Sequence, residues 1–140
     1  MVDMKLAKEI MKLSRKSKMK EDPKNFLKLF ELTKQVAMED EDFKEALEID
    51  KIVGQIIITD ENLALWYSAG NGAFDYGKGE ASDPTYTIKA TWEIMGRILS
   101  MESDGQDEYL SGDLVIEGNM QEAINYGEIN RAFLEALQRL

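Results

Sequence analysis

The sequence predicts an α+β fold: a five-stranded, mainly antiparallel sheet covered on one face by helices, with an N-terminal helical extension. Three observations carry it. Apolar residues recur at helical spacing through the first 47 positions. From Ile52 to Ala90 the pattern changes to short β-branched runs broken by glycine and asparagine. Then Gly112-Asp113-Leu114-Val115-Ile116-Glu117-Gly118-Asn119-Met120 reads as a strand that turns straight into a helix.

Residues 3–20 form the first predicted helix, with Leu6, Ile10 and Leu13 on one stripe and lysines elsewhere. A basic amphipathic helix suits transient contact with an anionic membrane surface. The stripe is narrow and has no aromatic anchor, which equally suits an arm packed on the acidic body. Asp22-Pro23 is a helix-start signal. The helix after it places Phe26, Phe30, Thr33 and Ala37 on one side, and Lys28, Glu31, Lys34 and Gln35 opposite. Glu39-Asp40-Glu41-Asp42 reads as a solvated helix start, because carboxylates favour the positive end of the helix dipole. A calcium loop would need a ligand spacing that this run lacks. Phe43, Ala46 and Leu47 continue a short helix.

Ile52–Ile58 and Leu63–Ser68 predict a hairpin around Thr59-Asp60-Glu61-Asn62. Gly70-Asn71-Gly72 turns the chain into a third strand, Ala73–Lys78. Asp83-Pro84 introduces a fourth over Thr85–Ala90, so the four strands read as a meander. Gly77-Lys78-Gly79 is no phosphate loop: serine or threonine does not follow the lysine, and no helix begins there. Thr91–Met101 predicts a helix with a wide apolar arc, and Glu102–Glu108 an acidic loop. Leu114 and Ile116 alternate with Asp113 and Glu117 in a fifth strand. Gly118 suits a positive φ, and Asn119 caps the next helix with Glu122 as partner. Met120, Ala123, Ile124 and Gly127 share one face of that helix. Residues 128–140 predict a last helix with Ile129, Phe133, Ala136, Leu137 and Leu140 on one side.

Composition removes several functions. Neither cysteine nor histidine is present among the 140 residues. Disulfides, thiolate metal sites, Ser-His and Cys-His nucleophile systems and the commonest zinc ligand are therefore excluded. The net charge of −10 is uneven: residues 1–20 carry +5 and the remainder −15. An acidic body of that kind repels nucleic acid. No apolar run approaches a membrane span and the first residues have no signal-peptide core, which predicts a cytoplasmic protein. Asp104, Asp107 and Glu108 cluster without an evident nucleophile, so an enzyme is not expected.

Several segments together resemble a known family, the sterol carrier protein domain. Asp42-Phe43-Lys44-Glu45-Ala46-Leu47 followed by Ile52–Ile58 is similar to its helix-to-first-strand join. Trp66, Gly77 and Gly79, then Asp83-Pro84-Thr85-Tyr86-Thr87-Ile88, fall where its next strands lie. Gly112–Met120 with Ala123 resembles its most recognisable segment. The likeness covers about residues 23–128 and leaves residues 1–22 as an extension before a domain over 23–140. Ile124-Asn125-Tyr126 departs from the family pattern, which often continues Met-Lys-Leu.

The resemblance implies a sterol-carrier-like lipid-binding domain with a hydrophobic tunnel between sheet and helices. It would hold a fatty acid, acyl-CoA, sterol or other lipid without chemistry, cofactor or metal. The expected lining is Trp66, Trp92, Met95, Ile98, Leu99, Met101, Leu110, Met120, Ile124, Phe133 and Leu137. The same apolar stripes describe a dry core equally well. Arg97 or Lys89 would meet a carboxylate at the mouth, and the last helix would act as a lid. The alternative is a structural or regulatory interaction module, whose apolar groove takes a partner helix or a second copy.

Overall fold

The computed structural model of the chain describes residues 1–100, 102, 103 and 105–140. Helix α1 (Met4–Arg15) is followed by a 3-10 turn (Met19–Glu21), α2 (Asn25–Glu39) and α3 (Glu41–Ala46). Strands β1 (Ile52–Ile58), β2 (Leu63–Gly70), β3 (Ala73–Lys78) and β4 (Tyr86–Ala90) come next. Helices α4 (Trp92–Leu99) and α5 (Gly105–Ser111), strand β5 (Val115–Gly118) and helix α6 (Met120–Gln138) complete the chain.

The five strands form one open sheet in the order β3-β2-β1-β4-β5. β1 to β3 are a meander, but β4 does not extend it. β4 pairs parallel with β1, Gly54 opposite Tyr86 and Ile58 opposite Ala90. The four-strand meander expected from sequence is therefore three strands plus a crossover. Residues 79–85 carry the chain back over the outer face of the sheet. Gln55 holds them there. Its Nε2 donates to Leu65 O at 2.9 Å and Gly79 O at 3.0 Å, and its Oε1 accepts from Ala81 N at 2.6 Å. Both polar atoms of the Gln55 amide thus find partners, which a buried amide requires.

Register fixes the inner face. Gly54 stands between Tyr67 on β2 and Tyr86 on β4, so Ile52, Ile56 and Ile58 share a face with Leu65, Tyr67 and Ala69. All of these are buried. α2 lays Phe30 on this face, 5.6 Å from Tyr67 and 5.9 Å from Phe74 between ring centroids. Phe133 of α6 meets Phe43 of α3 at 5.9 Å.

Other expectations are corrected in detail. The first helix ends at Arg15, and Ser17 takes a positive φ of 54° before the 3-10 turn. Asp3 caps α1 by accepting from Lys5 N and Leu6 N. Ala7 and Ile10 are buried, and Glu9 pairs with Lys28 of α2 at 2.7 Å. The basic helix is thus docked on the body. Asp22 accepts from Lys24 N, but α2 starts two residues later than that signal suggests. The predicted acidic loop contains α5, and Leu110 lies in that helix. The two last helices are one: α6 runs unbroken through Gly127, whose missing side chain faces open space. Asp40 is the start of α3, accepting from Phe43 N at 2.9 Å, and Arg139 binds it at 2.7 Å. That guanidinium holds the Asp40 carboxyl below its ordinary range. Met101 and Asp104 lie outside the described residues.

Candidate lipid-binding site

The junction after β5 has the glycine and the cap that the sequence suggests, but Asn119 N donates to Thr85 O at 3.0 Å and not to the Glu122 carboxylate. Gly118 adopts φ +97°, where a Cβ would stand 2.7 Å from Thr85 O. Asn119 Oδ1 then accepts from Glu122 N at 3.1 Å and starts α6. This lays α6 across the sheet, reaching both β4 and β5.

Between α6 and the sheet lies a cluster of three tyrosines. Tyr126 of α6 sits over Tyr67 with centroids 4.5 Å apart, and the Tyr67 and Tyr86 hydroxyls bond to each other. Burial pushes all three phenols above their ordinary value, Tyr67 most plainly, with mutual repulsion of the rings' charges adding to it for Tyr67 and Tyr126. Tyr76 is pushed up to about 12 by burial and by its bond to Glu31. The unfolded chain releases these protons near pH 10 and the folded chain does not. Stability is therefore full below pH 10 and falls as pH rises beyond it. Phenolate absorbance should rise together with loss of near-ultraviolet circular dichroism; ionisation that precedes unfolding would contradict this.

The predicted lining is only partly brought together. Met95 and Phe133 are closed into the core. Trp92, Ile98, Leu99 and Leu137 are half-buried against it. Met120 is half-buried, while Ile124 is 45% and Leu110 74% exposed. Trp66 does not join them. It pairs with Gln55, so it lies on the outer face, its indole against Gly77. Trp92 has a further task that periodicity did not reveal. Its Nε1 donates to Lys20 O at 2.8 Å and its ring meets Phe26 edge-on, tying the 3-10 turn to α4.

Lys89 pairs with Glu117 on the outer face. Arg97 lies 3.6 Å from buried Glu108, which also accepts from Ser103 at 2.6 Å. Two concavities stand out, both open to solvent. One of about 280 Å³ is lined by Lys20, Trp92, Glu93, Arg97 and Glu102. The other, of about 720 Å³, runs between α6 and the α3–β1 join and contains none of the predicted lining. Among the described residues no cluster of acidic side chains is arranged to hold a metal, and no helix is long and apolar enough to cross a membrane.

Residues 33–130 match the SCP-2 sterol transfer family. The chain belongs to this family. The SCP-2 fold also appears in solved structures. A double mutant of the sec-alkyl sulfatase PisA1 aligns with TM-score 0.62 at 14% identity, over 77% of this chain and 16% of that one. The ubiquinone synthesis protein UbiJ aligns with TM-score 0.55 at 14% identity, over 74% of this chain and 91% of its own. Apo sterol carrier protein 2 from Yarrowia lipolytica gives 0.52 at 18%, over 74% and 88%. At such identities the likeness shows the fold alone, and the chain spans only a small part of the sulfatase. No match was found among curated proteins. Membership in the SCP-2 family suggests lipid binding or transfer.

Proposed function

We propose that this chain binds a hydrophobic ligand with one long chain, such as a fatty acid, between the sheet and α4–α6, and carries it through the cytoplasm without chemistry. The observation that supports this reading is the set of apolar side chains that α4 and α6 leave partly uncovered. Ile98, Leu99, Met120 and Leu137 are only half covered, and Ile124 is 45% exposed. A tight core would close such side chains; a ligand face leaves them to be covered by its guest. Each methylene buried there contributes roughly 0.8 kcal/mol, against several kcal/mol lost on ordering.

The interior is filled by the three tyrosines, so ligand entry requires α6 to shift. Its second half is anchored by Phe133 on Phe43 and by Arg139 on Asp40. The first half, around Met120 and Ile124, is the part that opens. This replaces a lid made of residues 128–140, since Ile129, Phe133 and Ala136 belong to the core.

Native mass spectrometry of the gently purified protein should show a bound lipid. Displacement of a fluorescent fatty acid should give an affinity that Ile124→Asp lowers at least about tenfold, at unchanged stability. Absence of any neutral or anionic lipid by both methods would remove this reading.

A further inference from the structure

The residues before the matched stretch form a surface of their own. Helix α1 is docked by one side: Ala7 and Ile10 are buried, and Leu6 and Leu13 are half-buried against the core. Lys5, Lys8, Lys12 and Arg15 recur at spacings of three and four, which puts them in one stripe on the opposite side of the helix. All four are exposed, as are Lys16 and Lys18 just beyond. The ion pairs of this segment lie elsewhere: Glu9 binds Lys28, Lys20 binds Glu102 and the Met1 amine binds Glu39. Among the described residues the six cations are left without an acidic partner.

Nothing beneath the stripe compensates it. Within α2, Lys28 and Lys34 only balance Glu31 and Glu39. Along α1, Lys5 faces Lys8, Lys8 faces Lys12, and Lys12 faces both Arg15 and Lys16, all at spacings where like charges destabilise a helix. The row is therefore a local cost to the fold, in a chain whose net charge is −10. A dense anionic surface laid against it would relieve that repulsion.

We propose that the α1 stripe is a docking surface for an anionic lipid bilayer, met electrostatically while the apolar side of α1 stays buried in the protein. Met4, 41% exposed, and half-buried Met11 border the stripe one turn from Lys8 and Arg15, where they reach the edge of the headgroup layer. Carboxylates behind α1 are set back by a helix about 10 Å across, beyond the screening length of about 8 Å at physiological salt. Docking of this kind rests on the carrier reading, since a carrier must meet a bilayer to load and release. The docking face is also fastened to the proposed ligand wall. After Ser17, Met19 is buried, Lys20 O accepts from Trp92 Nε1 at 2.8 Å, and Lys20 Nζ binds Glu102 at 2.7 Å. Those two contacts grip α4 at its first residue and just past its end, with Ile98 and Leu99 between them.

Co-sedimentation of the intact protein with vesicles tests it. One set is phosphatidylcholine alone and the other contains about one-third phosphatidylserine, each at about 0.05 M and about 0.5 M salt. The phosphatidylserine vesicles should bind at least about tenfold more tightly at low salt, and high salt should release the protein. The combined variant Lys5→Gln, Lys8→Gln, Lys12→Gln, Arg15→Gln should lose at least about tenfold of that affinity, at unchanged or higher unfolding stability. Lys5→Arg, Lys8→Arg, Lys12→Arg should keep it. Equal binding to the two vesicles, full affinity in the glutamine variant, or loss in the arginine variant would each overturn the proposal. Binding that survives high salt would do the same, because the apolar side of α1 would then have swung out to insert. So would a vesicle-free dimer that the glutamine variant dissolves, since a second copy would then occupy the stripe. Vesicle docking by a protein that binds no fatty acid would sink only the carrier reading.

Discussion

Phe133→Ala is expected to lower unfolding stability by about 3–5 kcal/mol, the usual cost of removing a buried phenylalanine ring. Phe133 is 2% exposed and packs against Phe43, itself fully buried at the C-terminal side of the α3 start. Little nearby can collapse into the void. α3 is fixed by the Asp40 cap and by Arg139, while Ile129 and Ala136 lie on the same α6 face. Urea unfolding followed by circular dichroism measures the loss. Leu137→Ala, four residues on and only half-buried, should cost clearly less. Comparable losses would mean that α6 is not anchored through Phe133. The same pair bears on ligand exchange. Loosening the anchored half of α6 should speed release of a bound fatty acid, because the opening half then loses its pivot.

The elements themselves were mostly legible in the chain, because each carries a local signal. The hairpins come from the β-branched β1 and the apolar and aromatic runs of β2 and β3, turning at Asn62 and Asn71, both with positive φ in the structure. The Gly118–Asn119 junction follows from one residue's backbone freedom and the next one's capping oxygen. What escaped was non-local. β4 lies beside β1 because Gln55, thirty residues earlier, holds the crossover down, and a glutamine inside an isoleucine run gives no sign of this. The sequence reads as two helices, one through Gly127 and one from residue 128, yet an exposed glycine costs α6 only about 1 kcal/mol, which the packing on either side of it outweighs. The site was less legible than the fold. Leu63-Ala64-Leu65-Trp66-Tyr67 is apolar on both faces, so its alternation could not say whether Trp66 or Tyr67 turns inward. Register decided that: Gly54 faces Tyr67.

Gly54→Ala should be among the most damaging small changes in the chain. A Cβ there would stand 2.3 Å from Tyr67 Cζ and 2.7 Å from Cε1. Neither side has room to yield. β1 is central, bonded to β2 on one edge and β4 on the other. The Tyr67 ring is stacked on Phe74 at 6.2 Å, covered by Tyr126 at 4.5 Å and bonded through its hydroxyl to Tyr86. Overpacking of this kind costs typically about 1–3 kcal/mol, and a ring held on three sides argues for the upper end. The mechanism predicts a particular coupling. Tyr67→Leu is itself destabilising, since it empties part of the core and leaves the Tyr86 hydroxyl without its partner. In that background the added methyl has space, so the double variant should lose clearly less than the two single losses combined. Additive losses in urea unfolding would show that Gly54 is required for its backbone and not for the tyrosine above it. Coupling would establish that the inner face is closed by ring-against-glycine packing. In that case a ligand reaches the interior only when Tyr126 and its half of α6 move aside.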